Sequence, residues 1–258
     1  MLLVTWNVNS LRVRLPRVLE LLKKHRPDAV LMQETKVDSG AFPHAELEAA
    51  GYRAADHSCG RWAGVAVVAR TELGVQDVCT GLPGEPDIAE ARWIEGTVAG
   101  TRLVSVYVPN GREVGSPTFA AKLVFLDAMA VRASELATAG PAMIAGDMNV
   151  CPTDADVYDP AAFVGSTHVT PEERAGLGQV AAAGFVDSYR HLEPDAPGFT
   201  WWDYRQGHFH RGLGLRIDLA LLTAGLVPRL RSCGIDRDFR KGPKPSDHAP
   251  LLIELAEG

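Results

Sequence analysis

Short apolar runs bounded by polar or turn-forming residues recur along the chain. "LLVTWN" (2–7) reads as a buried strand. In the "NSLRVRLPRVLELLKKHRP" that follows, Leu15, Val18, Leu19 and Leu22 fall on one helical face, with Ser10 placed to cap the start and Pro27 to close the end. "DAVLMQE" (28–34) returns as a second short strand, so the chain opens with a strand, helix, strand unit whose strands end in Asn7 and Glu34. Further strands are expected at 64–70, 92–98, 102–109, 141–147, 215–222 and 250–255, and helices over 118–138 and 171–183. No Gly/Ser-rich linker, charge block or repeat divides the chain. Residues 1–258 are therefore expected to form one domain of mixed strands with helices outside. The stretch between 148 and 170 carries no expected element, and loops longer than about 12 residues are more often functional than decorative.

Composition narrows the setting. Of 258 residues 46% are hydrophobic and 22% charged, which supports a sizeable core. A net charge of −6 gives no overall attraction to nucleic acid or to an anionic membrane, so any such binding must come from local patches. Cys59, Cys79, Cys151 and Cys233 are scattered with no C-x-x-C pair, which indicates neither a zinc site nor a disulfide framework and suits a reducing compartment. With no leader-like start and no run of about 18 apolar residues, a cytoplasmic location is expected.

Polar side chains collect where the apolar runs stop. Asn7, Glu34, Tyr107, Asp147 with Asn149, Asp218 and "SDH" (246–248) each lie at or near the end of an expected strand, where a sheet brings distant segments together. Carboxylate and carboxamide oxygens are hard ligands suited to Mg²⁺ or Mn²⁺, and such metals commonly serve phosphate chemistry. Plainer roles exist for some of these residues: Asp147 could cap a turn, and Glu34 could be a solvated acid. Asp218 sits among Ile217, Leu219 and Ala220, so its carboxylate needs a partner, either Arg216 or His248. If "SDHAPLLIEL" starts extended, Asp247 and His248 point to opposite faces. Asp218 is then expected to orient His248, leaving Asp247 to face a metal. In "GDMN" the strand period of two is expected to put Asp147 and Asn149 on the same side.

Six segments in order, "TWNVNSLRVR", "QETKV", "GDMNVCPTD", "FTWWDYR", "LRIDL" and "KPSDHAP", resemble the exonuclease III family of apurinic/apyrimidinic endonucleases, bacterial type. The resemblance implies an α+β, four-layered sandwich, two mixed β-sheets face to face with helices outside. It also implies hydrolysis 5′ to abasic sites leaving a 3′-hydroxyl, with 3′-to-5′ exonuclease and 3′-end-cleaning activity. By motif, Glu34 would hold Mg²⁺ with Asn7 and Asp247 near it, while Asp147 would activate water and Asn149 would position the phosphate. Tyr107 would approach the phosphate or leaving group, and His248, oriented by Asp218, would donate to a phosphate oxygen. Lys122 matches a family lysine near the DNA backbone. The implied partner is double-stranded DNA with abasic sites or blocked 3′ ends, bound by a monomer with no role for a membrane.

Basic residues cluster in "RVRLPR" (12–17), in "YRQGHFHRGLGLR" (204–216), which includes Arg211, and in "DFRKGPKP" (238–245), so a positive rim around an acidic pit is expected. Trp201 and Trp202 should face opposite sides of a strand, one in the core, and Trp202 is taken as the one that stacks on substrate. Gly212 stands where relatives often carry Asn, and Leu215 where some carry Trp. His168, in the long loop, could crowd the pocket and bias the enzyme toward 3′ ends. The competing readings are a specialised 3′-to-5′ exonuclease with weak abasic-site incision and a superfamily phosphodiesterase acting on a small phosphate ester.

Overall fold

Two strand, helix, strand crossovers form the centres of two sheets. In a computed structural model describing residues 1–257, β1 (Leu2–Asn7) runs through α1 (Leu11–His25) into the parallel strand β2 (Ala29–Gln33). The chain then forms α2 (His44–Ala49), β3 (Tyr52–His57), β4 (Val65–Arg70), β5 (Gln76–Thr80) and β6 (Trp93–Val98). A second crossover follows, β7 (Thr101–Tyr107) through α3 (Pro117–Ala139) into the parallel strand β8 (Ala142–Asp147). After it come α4 (Pro171–Ala182), β9 (Phe185–Asp187), α5 (Ser188–Leu192), α6 (His208–Arg211), β10 (Asp218–Thr223), β11 (Leu230–Ile235) and β12 (Leu251–Leu255). One sheet has the order β11-β12-β1-β2-β4-β3 and the other β5-β6-β7-β8-β10-β9, each with six strands.

Alternating side chains divide between faces as strand geometry requires. Leu3, Leu31, Val65 and Val67 of the first sheet meet Ile94, Leu103, Met143, Ala145 and Leu222 of the second in one buried cluster. On the outer face of the first sheet, Val4, Trp6, Val30 and Met32 pack with Val18, Leu21 and Leu22 of α1. On the outer face of the second, Val104 and Ile144 pack with Phe125, Leu126 and Met129 of α3 and Leu177 of α4. The result is the expected four-layered arrangement of helix, sheet, sheet and helix.

Some boundaries differ from expectation for local reasons. Ser10 does not cap α1 with its side chain and has φ 90°. The Ser10 and Leu11 N–H groups instead donate to the carbonyls of Glu34 and Thr35, so docking onto the exit of β2 fixes where the helix starts. The strand expected at 215–222 begins at Asp218, because Leu215 is diverted to pair with Val157 and Trp201. β5 was invisible because all five of its residues are exposed, and β9 because it has only three.

Both parallel pairs finish at the same end of the molecule. Asn7 pairs with Gln33 in one sheet, and Tyr107 and Asp218 both pair with Asp147 in the other. Just before that end, Gly146 has φ 154°, and a Cβ on it would lie 1.9 Å from the Val106 carbonyl oxygen. Only glycine permits this approach of β8 to β7. Gly146→Ala is expected to lower unfolding free energy by about 2–4 kcal/mol, from overpacking together with a strained backbone. Urea denaturation with an unchanged slope but a lower midpoint would show it, and a loss below about 0.5 kcal/mol would contradict it.

Candidate active site

Asp147 ends β8 and turns the chain. Its Oδ1 accepts the Asn149 N–H at 3.0 Å, and Asn149 takes a left-handed φ of 49°. The two side chains are therefore not held together by strand periodicity, since the chain has left the strand by Met148. A turn closed by the aspartate brings them close instead, so one oxygen of Asp147 does take the plain capping role. Asn149 Nδ2 donates to the Val108 carbonyl at 2.9 Å, and its Oδ1 accepts from Asn110 Nδ2 at 3.1 Å.

The second Asp147 oxygen faces the other sheet. Asn7 Nδ2 donates to Asp147 Oδ2 at 2.9 Å and to Glu34 Oε1 at 2.8 Å, while Asn7 Oδ1 accepts from the Asn9 N–H. Asn7, expected beside a metal held by Glu34, thus clamps two carboxylates with its nitrogen. Glu34, at φ 49°, also pairs through Oε2 with Lys36 Nζ at 2.6 Å. Ligand-type atoms of Glu34, Asp147 and His248 all lie within 4.8 Å of one another. Asp247 is not in this group. Its carboxylate accepts from Asn9 Nδ2 at 2.9 Å and Trp201 Nε1 at 3.1 Å.

His248 lies between two acids. Nδ1 is 2.8 Å from Asp218 Oδ2, and Nε2 is 3.7 Å from Asp147 Oδ2. Of the two partners open to Asp218 in the sequence, His248 takes it. Arg216 goes to Asp156 at 2.6 Å and Asp187 at 2.7 Å, a buried network that Arg190 joins at Asp156. Burial disfavours charge on His248, but Asp218 and Asp147 outweigh it and raise the imidazolium well above the ordinary histidine range. Burial raises the Asp147 carboxyl from its usual range, reinforced by Asp218 and Glu34 and opposed by His248. Tyr107, nearly buried with Arg92 stacked 4.7 Å over its ring, has its phenol raised by burial and by the Glu34 and Asp147 charges. A groove of about 590 Å³ opens from Glu34 and Tyr107 past Lys36, Arg92, Asn110 and Arg112.

Two residues expected on the substrate, Lys122 and Trp202, are instead fully buried. Lys122 is fully buried and ion-paired with Glu173, because its α3 position faces the core between Phe119 and Phe125. Trp202 is the core member of its pair, fully buried and edge-on to Phe209, with Arg237 and Arg240 near its ring. Half-buried Trp201 is the one that reaches the site, through Asp247. Arg211 is exposed at the end of α6. Gly212 adopts φ 72° and terminates that short helix, and Leu215 is buried with Cys151, Val157 and Ile217. Asn9, Lys36 and Asn110 were not anticipated. Lys36 stands two residues after Glu34, and Asn110 three after Tyr107, so proximity to recognised residues was the available signal.

His168 does enter this region. It has φ 79°, its Nδ1 lies 2.5 Å from the Asn149 carbonyl, and its N–H donates to Glu173. Burial, with the Lys122 ammonium, lowers it to about 4, so its ring is neutral at neutral pH. The three basic runs also meet. Arg14 reaches Asn9, Tyr204 and Pro245, and Arg17 reaches Asp238 and Lys241, gathering segments 12–17, 204–211 and 238–245 beside Asn9.

Replacing Asp218 by Asn removes the charge that favours imidazolium and leaves an amide against Nδ1. The His248 titration, followed by NMR of its ring protons, is expected to move toward lower pH by at least about one unit. An unmoved titration would show that Asp218 does not set the charge of His248.

Comparison with known proteins agrees with this geometry. The profile of the Endonuclease/Exonuclease/phosphatase family matches residues 4–248. The chain is 33% identical to an exodeoxyribonuclease III of Haemophilus influenzae over 98% of both chains, and 30% identical to an exodeoxyribonuclease of Bacillus subtilis over 98% of both. It superposes on a 3′-phosphatase from Neisseria bound to a product DNA hairpin with TM-score 0.97, 38% identity and complete coverage of both chains. An AP endonuclease from Archaeoglobus fulgidus gives TM-score 0.93 at 35% identity over 99% of both. With the profile matching nearly the whole chain and these relatives covered end to end, the chain belongs to the Endonuclease/Exonuclease/phosphatase family of hydrolases, in its exonuclease III branch.

Proposed function

We propose that the protein is a metal-dependent DNA-repair phosphodiesterase. It hydrolyses the backbone 5′ to abasic sites to leave a 3′-hydroxyl, and also acts at 3′ ends as a 3′-to-5′ exonuclease and end-cleaning enzyme. The observation that carries this reading is the convergence of Glu34, Asp147 and His248 from both sheets, with Asn7 bonded to both carboxylates. Residues 1–258 act as one catalytic domain and as a monomer on duplex DNA. The gathered Arg14 and Arg17 segments supply local positive charge against the net −6.

The donor set fits a hard divalent cation: two carboxylates are clamped close together and one, Glu34, is only partly covered. Glu34 would hold Mg²⁺, with Mn²⁺ able to substitute, and the cation would neutralise charge developing on the phosphoryl oxygens. Asp147, raised toward neutrality by burial, is suited to take the proton of an attacking water. The water oxygen bonds to phosphorus as the P–O3′ bond breaks. Tyr107, which keeps its proton through the neutral range, donates to the departing O3′. His248, charged and held by Asp218, donates Nε2–H to a non-bridging oxygen, and the second Nδ2 hydrogen of Asn149 contacts another.

A second reading, a specialised 3′-end enzyme with weak abasic incision, draws on one feature. His168 is fixed against Asn149 in a chain that superposes on a 3′-phosphatase. Its ring stands beside Asn149, the residue this proposal places on the phosphate.

An end-labelled duplex with one abasic-site analogue separates these readings. Magnesium-dependent incision beside the lesion is expected, abolished by EDTA and reduced about 10³-fold in Asp147→Asn and His248→Ala. Cleavage that persists in EDTA, or survives both substitutions, would sink the proposal. On the second reading, His168→Ala raises abasic incision relative to 3′-terminal removal by about tenfold, and an unchanged ratio removes that reading.

A further inference from the structure

Lys122 occupies a helix position that packing alone would give to an apolar residue. The buried face of α3 runs Phe119, Lys122, Phe125, Leu126 and Met129, and the lysine is fully buried there. Burying an ammonium requires that its hydrogens be used. Its Nζ donates to the Asn149 carbonyl at 2.6 Å, the Asn110 carbonyl at 3.2 Å and Thr167 Oγ1 at 3.2 Å, and it pairs with Glu173. Glu173, also fully buried, accepts from the His168 N–H at 2.9 Å and from the Thr170 N–H and hydroxyl at 3.0 and 2.8 Å.

The pair thus ties the end of the long loop at 167–170 to two stretches that have just left the paired strands β7 and β8, at Asn110 and Asn149. The two residues whose carbonyls Lys122 holds are also joined side chain to side chain, Asn110 Nδ2 to Asn149 Oδ1. Gly111 lies so close that a Cβ there would be 3.0 Å from both Lys122 Cδ and Thr167 Oγ1. Buried ion pairs are commonly no better for stability than apolar groups of similar volume. What an apolar residue could not supply at this position is directed hydrogen bonding to the two carbonyls.

We propose that the Lys122–Glu173 pair is a positioning unit for the reaction, which fixes Asn149 and Asn110 at the phosphate site while touching no substrate itself. This rests on the reading that Asn149 works at the phosphate. Misplacing such a group by about 1 Å can cost on the order of 10²-fold in rate.

The test uses the full chain carrying Lys122→Met together with Glu173→Gln, which removes both charges at once, so that neither single variant's unpaired buried charge confuses the result. Thermal unfolding is expected to stay near wild type. On the abasic duplex, kcat is expected to fall about 10- to 100-fold with KM within about twofold. In hydrogen exchange, amides of 108, 110, 111 and 148–151 are expected to exchange about tenfold faster, while those of 118–139 keep their protection. Wild-type kcat in a stable double variant, or unchanged exchange in those two segments, would overturn the proposal. If the wild type leaves DNA intact, the nuclease reading falls, and the exchange measurement still decides whether the pair anchors the two loops.

Discussion

One amide nitrogen spans the two sheets. Asn7 Nδ2 donates both to Glu34, just past β2, and to Asp147, at the end of β8, so two carboxylates that repel each other are held around a common point. That contact exists only if the strand ends of both sheets are level to within a hydrogen-bond length. Leu3, Leu31, Leu103, Met143 and their neighbours set that alignment by interdigitating between the sheets. Gln33 strengthens it from inside, bonding to Thr5 in its own sheet and to Ser105 in the other at 2.9 Å. The interior packing is therefore what determines the geometry of the charged end.

Much of this was legible because the strands end in chemistry. Asn7, Glu34, Tyr107, Asp147 and Asp218 stand out as polar residues terminating apolar runs, and in strands buried on both faces the two-residue rhythm decides which layer each side chain meets. What escaped depended on contacts that cross the chain. Whether Trp201 or Trp202 faced inward could not follow from alternation alone, since both phases were open until Phe209 and Arg240 closed over Trp202. Lys122 looked like a surface cation because its burial is made possible by Glu173, 51 residues away in sequence. Asn149 was assigned the right neighbourhood for a partly wrong reason, because a side-chain-capped turn can imitate the spacing of a strand.

Backbone strain gathers at the same end. Glu34, Lys36, Asn149 and His168 all hold positive φ without being glycine, a conformation that costs about 1–3 kcal/mol each when the surroundings do not demand it. Each is tied by specific bonds: Lys36 to Glu34 and Asn9, Asn149 to Asp147 and Val108, His168 to Glu173. The buried Arg216, Asp156 and Asp187 charges secure the base of the long loop in a similar way. Electrostatics and strain thus favour the same arrangement, and neither would persist without the rigid layers beneath.

The strand order also carries a consequence in time. In the first sheet the opening strand β1 lies between β2 and β12, and the terminal amine of Met1 donates to the carbonyl of Leu255 at 2.7 Å. A chain emerging from the ribosome therefore holds one side of β1 unpaired until β12 has been made. His248 arrives only three residues before β12 begins, and Asp218 thirty residues before His248. An unfinished chain carries Glu34 and Asp147 without the histidine that faces them. Contacts of such long sequence separation slow folding, and here they make the convergence of Glu34, Asp147 and His248 wait for residues 218–255, so that a product stalled before them is born without it.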